Sequence, residues 1–345
     1  MYNIRTEKLR DSNMELLRLV AMFMIVILHL DIFLLEKPES FADQYLTNFF
    51  IGFLKSLTII GVNLFVLLSG WYGIYFKWNR FFYLWFQVLF FAFLGLAYES
   101  LINGNVLNLK DYLYYLFQMD GNAYWFFQSY ILLYIFSPML NLYTQKTDNK
   151  ALSLFLCVFF IIQFIWGCMS WGYVYFGNGH SALSFMGLYI LARYAYINQI
   201  QLRLKKGLWG ALFLILTLLS SICGYSGHSH TMLYNFAYSY ASPLVIISAF
   251  SVLALFLRLN FKAIIINRIA VHCFAIYLFH MNFYIFPQII DICASLDMHR
   301  QISLFLVLAP LICIITWGIS IILDICRLYL WEKLLLIFSI SILKK

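Results

Sequence analysis

The chain has 345 residues, of which 63% are hydrophobic, 20% aromatic and only 11% charged, and it carries a formal net charge of +8 at pH 7. That balance excludes a soluble globular domain, and the chain reads as an integral membrane protein. Its basic residues are scattered over several loops and form no single stripe, so the positive charge implies no nucleic-acid partner.

The apolar runs set the fold class. A helix needs about 20 residues to cross a bilayer and a barrel strand about 10, and the runs here are of the longer kind, so an all-α integral membrane protein is expected. Arg5, Lys8 and Arg10 precede the first run as they would in a secretory signal. That run is too long for a signal core and no A-x-A-like site follows it, so it reads as a retained anchor. Along the chain about ten transmembrane helices are expected, at roughly 14–35, 46–72, 81–102, 124–143, 151–171, 181–197, 207–225, 235–257, 270–290 and 302–324. With the N-terminus cytoplasmic, 19 of the 23 Lys and Arg residues, Arg327 among them, fall on the inner side; Lys37, Lys55, Lys110 and Arg300 fall outside. The positive-inside bias therefore places both termini in the cytoplasm. No repeat, low-complexity tract or soluble domain stands out, so residues 1–345 read as a single polytopic domain. The seven cysteines include no C-x-x-C pair and read as small apolar packers.

The first helix holds the most informative stretch. Ser12 and Glu15 have capping-box spacing directly before the apolar run, which predicts a helix start near Asn13. From Arg18 to His29 is a rise of about 16 Å, about three turns, which returns the two side chains to nearly the same face. Arg18 then lies near the cytoplasmic interface, where alone it would read as a snorkelling anchor. His29 lies beyond the middle of a hydrocarbon core about 30 Å thick. A polar group at that depth must face a cavity or a partner, so its default reading is functional. Asp31, two residues on, faces away from it along the helix. His280, deep in the ninth expected span, is the second candidate on the same argument. His228 and His230 form a loop pair without companion ligands at metal spacing, and no metal site is expected.

"NMELLRLVAMFMIVILH" followed by "GVNLFVLLSGWYG" resembles the paired signature of the acyltransferase-3 family of membrane-bound acyltransferases: an Arg, ten residues and a His in the first helix, then L-F-x-x-x-S-G-[FYW] ending the second. "YWFFQSYILLYIFSPML", Tyr124 to Leu140, is similar to the family's W-F-x-x-x-Y-x-x-x-Y-x-x-x-P helix, and "FAIYLFH", Phe274 to His280, to its G-x-Y-L-x-H segment.

That resemblance implies an O-acyltransferase that moves an acyl group, usually acetyl from acetyl-CoA, to a hydroxyl of a cell-envelope glycan, a sugar or a lipid-linked unit, in the inner (plasma) membrane. Acetyl-CoA is a co-substrate, and no permanently bound cofactor is implied. The family's essential Arg and His map onto Arg18 and His29. Its R-x-x-R pair maps onto Lys77 and Arg80, which would bind CoA phosphates, with Lys in the first position acting as a point charge where the family has a bidentate Arg. Ser69 and Gly70 end the second helix where a close backbone approach or a turn is needed, and Ser69 reads as a contact residue rather than a nucleophile. Trp125 and Tyr130 could line an acceptor pocket, since an aromatic face stacks on a sugar. The competing expectation is a glycan exporter or flippase on the same fold, against which stands the lack of two halves of similar hydropathy.

Overall fold

The computed structural model describes residues 11–35, 45–102, 104, 108–117, 124–169, 175–226 and 232–343, and among them there is no strand. The protein is an all-α membrane protein. In chain order its α-helices are α1 (Ser12–Leu30), α2 (Tyr45–Thr58), α3 (Gly61–Tyr72), α4 (Trp78–Leu101), α5 (Leu109–Leu116), α6 (Trp125–Lys146), α7 (Asn149–Gln163), α8 (Ala182–Ile197), α9 (Lys206–Ser226), α10 (Met232–Tyr238), α11 (Pro243–Leu257), α12 (Ile264–Ala270), α13 (Cys273–His280), α14 (Phe286–Ser295) and α15 (Ile302–Leu343). Lipid offers backbone groups no hydrogen-bond partner, so helices, which satisfy their own, are the form such a chain takes.

Among the described residues seven helical stretches are long and apolar enough to cross a bilayer: Ser12–Leu35, Tyr45–Tyr72, Trp78–Leu101, Asn149–Met169, Lys206–Ser226, Met232–Leu257 and Ile302–Ile337. The other three expected spans take different forms. At 124–143 lies α6, which is long enough but carries Gln128, Ser129, Ser137, Asn141 and Thr144. At 181–197 lies α8, an apolar helix of only 16 residues.

The stretch 270–290 is broken. Asn282 Oδ1 accepts the Tyr284 N–H (3.1 Å) and Asn282 Nδ2 donates to Phe91 O (2.8 Å), so this side chain captures backbone groups and stops α13 after His280. Pro287 then sits in the first turn of α14, where its missing N–H costs nothing.

The chain forms two compact units, Met1–Phe76 with Trp125–Ala270 and His299–Ile302, and Lys77–Tyr124 with Val271–Met298 and Ser303–Lys345. In the first unit α1 packs on α2, α3, α11 and α12, and α3 packs on α8 and α11. Glycine sets the closest approaches. A Cβ added at Gly61 would stand 2.8 Å from the Ala21 carbonyl oxygen and from Ile25 of α1. One added at Gly70 would stand 2.7 Å from Ala192 Cβ and the Tyr189 carbonyl oxygen of α8. In the second unit α13 packs on α4 and α14.

Two charged residues that the positive-inside reading treats as flanking lie inside the protein. Lys55, placed outside in the sequence reading, is 5% exposed within α2, donates from Nζ to Tyr234 Oη (2.6 Å) and rests over the rings of Tyr234 and Tyr238. Arg327, placed in an inner segment, is fully buried within α15, which runs past the expected end at 324. Both polar heads are held by partners that a window of hydropathy does not register.

Gly61→Val should push α1 off α3 and lower stability by about 1–3 kcal/mol, the usual cost of overpacking. Chemical unfolding in mixed micelles would measure it, and an unchanged midpoint would contradict the close approach.

Candidate functional site

The site is built on α1. The helix starts at Ser12, with Asp11 in extended conformation (φ −68, ψ 100) at its N-cap and no side-chain cap. The expected capping box does not form: the Ser12 hydroxyl accepts the Ala263 N–H (2.9 Å), and Glu15 Oε2 accepts from Arg18 Nη1 (2.7 Å). Glu15 is therefore an orienting partner for the arginine, one turn away on the same helix, rather than a cap.

The helix then runs unbroken to Leu30, so the eleven-residue spacing keeps Arg18 and His29 on one face about 16 Å apart. Arg18 keeps 31% of its side chain accessible, and His29 is partly buried in the last α-helical turn. Beyond it the chain widens into a π-turn, Asp31–Leu35, that opens with the fully buried Asp31. Single π-turns of this kind are frequent at functional sites.

The first unit also brings together Ser69 and Tyr130. Ser69 Oγ donates to Phe65 O (2.9 Å) and lies 3.3 Å from Tyr130 Oη, so with its own proton committed the serine accepts from the tyrosine. The Tyr130 ring is stacked on Phe126 at 5.7 Å. Gly70 serves the α3–α8 approach, whereas the turn that follows uses Gly73 (φ 77), whose N–H returns to Ser69 O. Trp125 lies 4.4 Å from the His180 ring and 6.0 Å from Tyr240, edge to face with the histidine. His180 Nδ1 bonds to Gly177 O (2.7 Å) and its ring also meets Tyr240 at 4.8 Å. Sequence reasoning missed His180; the glycines at 177 and 179, both with positive φ, were the signal of a tight turn that presents it.

Three predicted site residues belong to the second unit. Lys77 and Arg80 stand at the start of α4, both exposed, with Lys77 as the N-cap residue. His280 is 1% exposed, and its Nδ1 bonds to Ile276 O (2.7 Å) on its own helix. Close by in sequence, the Tyr124 hydroxyl donates to Leu278 O (2.7 Å) and accepts from Asn282 Nδ2 (3.2 Å). His228 and His230 lie outside the described residues.

The family profile of an acyltransferase domain matches residues 11–325, nearly the whole chain. The chain belongs to the acyltransferase-3 family. It is therefore a membrane acyltransferase, with an acyl donor, an acceptor and the bilayer as its partners. Neither the curated proteins nor the solved structures compared with it give a match.

This acyltransferase also holds a buried ionic cluster that sequence reasoning missed. Arg327 Nε donates to Asp324 Oδ1 (2.6 Å) and its Nη2 to Tyr83 Oη (2.7 Å), while the guanidinium rests 4.6 Å over the Tyr83 ring. His272 Nδ1 lies 2.7 Å from Asp324 Oδ2, and Gln87 Nε2 donates to Asp324 Oδ1 (3.0 Å). The signal was D-x-x-R inside an apolar stretch, opposite charges one turn apart on one helix face.

Arg327→Ala should lower stability by about 3–5 kcal/mol, because it leaves the buried Asp324 carboxyl without its guanidinium partner; replacing Asp324 and Arg327 together by Leu should cost less. Unfolding in mixed micelles separates the two outcomes. A double variant worse than the single one would show that the pair is not a self-compensating unit.

Proposed function

We propose that the protein is an O-acetyltransferase of the inner membrane that moves acetyl from cytoplasmic acetyl-CoA to a hydroxyl of a cell-envelope glycan, with the chemistry at His29. The observation that carries this reading is α1 itself: an unbroken helix in an acyltransferase that presents Arg18 and His29 on one face at two depths. A donor that enters from the cytoplasmic side meets Arg18 first, and a flexible pantetheine arm would carry the thioester on toward His29, past the point where α3 covers the helix at Ala21 and Ile25.

There the imidazole takes the acceptor hydroxyl proton as the oxygen attacks the thioester carbonyl carbon. The C–S bond breaks, and the proton on His29 passes to the departing thiolate. In an acyl-histidine relay the imidazole first attacks the thioester carbonyl and the thiolate leaves; the acceptor oxygen then attacks the acyl carbon, the C–N bond breaks and the departing imidazole takes the hydroxyl proton.

The remaining residues divide between donor and acceptor. The guanidinium of Arg18, held by Glu15, and the exposed pair Lys77 and Arg80 supply positive charge for the donor. Trp125 and Tyr130, in an aromatic cluster with Phe126, suit an acceptor sugar, and Ser69 and Gly70 shape the neighbouring helix. His280, buried and bonded to its own helix, would contribute through position.

Sealed inverted membrane vesicles given labelled acetyl-CoA should transfer label to glycan, and sealed right-side-out vesicles should not. Equal transfer in both would contradict a cytoplasmic donor. Arg80→Ala should raise the KM for acetyl-CoA about tenfold with little change in kcat; an unchanged KM, with dissociation fast relative to chemistry, would remove Arg80 from the donor site.

A further inference from the structure

Just ahead of α8 the backbone takes an uncommon course. Gly177 (φ 49), Asn178 (φ 53) and Gly179 (φ 93) lie in succession in the left-handed region, which chains of L-residues ordinarily visit one residue at a time. Asparagine tolerates that region better than most residues. At Gly179 only glycine fits, because a Cβ there would stand 2.5 Å from Tyr240 Cβ and 2.6 Å from the Ala241 nitrogen.

The turn is held from two sides. Asn178 O accepts the Ala241 N–H (3.2 Å) and the Ser239 hydroxyl (3.1 Å), and Ser129 of α6 donates to His180 O (2.6 Å). Sparsely populated backbone that persists because its surroundings over-determine it is concentrated at functional sites. What this turn presents is one side chain, the imidazole of His180.

His180 is exposed, yet its ring is fixed. Trp125 meets it at 4.4 Å and Tyr240 at 4.8 Å, both edge to face. Nδ1 lies 2.7 Å from Gly177 O, and a carbonyl oxygen can only accept, so Nδ1 carries the proton. In the neutral ring Nε2 is then a hydrogen-bond acceptor, and it has no partner among the described residues. Trp125 is half-buried and keeps indole surface accessible beside it. Trp125 and Ser129 lie one turn apart on α6 and both touch His180, so indole and imidazole are held as one body. None of the groups that His180 touches among the described residues is charged.

This corner is tied to the reacting helix. Asn63 of α3 donates to Tyr240 O (3.0 Å), two residues along from the Gly61 that lies against Ile25 of α1, and His29 is one turn beyond Ile25. Asn63 Oδ1 is buried without a donor among the described residues, which leaves polar capacity here that the fold itself does not use.

We propose that His180 is an acceptor-binding residue: its Nε2 takes a hydrogen bond from a hydroxyl of a neutral sugar ring that rests on Trp125. The assignment rests on the reading of the protein as an acetyltransferase of a glycan, and it narrows the acceptor. A fixed lone pair selects a hydroxyl donor and rejects a sugar that lacks it, because the site's polar group would then go unpaired. A carboxylate or phosphate on the sugar would find no countercharge among the described residues around His180.

The test uses the full-length protein in nanodiscs with labelled acetyl-CoA and, as acceptor, envelope glycan freed of its acetyl groups by mild alkali. His180→Ala should raise the KM for glycan about fivefold and leave the KM for acetyl-CoA unchanged. His180→Gln, whose amide oxygen can accept in place of Nε2, should recover most of that loss. Diethyl pyrocarbonate, read by mass spectrometry at His180, reports on the ring directly: a neutral methyl hexoside should shield it and the corresponding methyl hexuronide should not. An unchanged glycan KM in His180→Ala, a shift in both KM values, a Gln variant no better than Ala, or shielding by neither glycoside or by both equally would overturn the assignment. Acetyl transfer measured on the same preparations keeps the two readings apart. Transfer with an unchanged glycan KM in His180→Ala overturns the role of this histidine alone, whereas selective shielding by the neutral hexoside without acetyl transfer upholds the sugar site and overturns acetyl-CoA as donor.

Discussion

Gly61 lets α3 approach α1 so closely that one added carbon would stand 2.8 Å from a backbone oxygen of the first helix. In a bilayer the lipid tails are as apolar as the helices, so little hydrophobic force draws helices together, and close packing through small residues takes its place. That contact holds α1 in one rotation about its axis. Arg18 and His29 share a face only as long as the helix is straight, and α3 covers that face between them, at Ala21 and Ile25, so the contact fixes both residues relative to α3. Gly70 repeats the device on the other side of α3 and fixes α8.

Buried polar groups in this protein fall into two kinds. Asp324 and Arg327 compensate each other and draw in Tyr83, Gln87 and His272, while Lys55 donates a hydrogen bond to the Tyr234 hydroxyl and rests on two rings. Asn282 and His280 spend hydrogen bonds on backbone carbonyls. These groups are paired within the fold, Arg327 Nη1 alone of that guanidinium having no partner among the described residues, and much of their cost of burial is offset there. Arg18 differs in keeping 31% of its side chain accessible, which is a condition for meeting a ligand.

The all-α membrane character and the first helix were legible because they rest on composition and on a period, both local properties. The Arg18 to His29 spacing needs only an unbroken helix, and α1 is unbroken. The S-x-x-E pattern misled because capping is a competition: Ala263, some 250 residues away, offers Ser12 a backbone donor, and Arg18 takes Glu15. The ninth span misled because a single Asn can divert backbone bonds, which hydropathy averaged over a window does not detect. Arg327 and Lys55 were placed as flanking charges because charge is counted per residue, while its burial depends on partners far along the chain.

The central claim is that acyl transfer takes place at His29, and the most direct measurement is label transfer from acetyl-CoA to glycan by His29→Ala in inverted vesicles, at matched protein level and unfolding midpoint. Partly buried at the end of α1, His29 can be shortened without disturbing the Gly61 contact. The account predicts that transfer is abolished while the protein remains folded. Transfer at the wild-type rate would contradict it and move the chemistry away from this histidine.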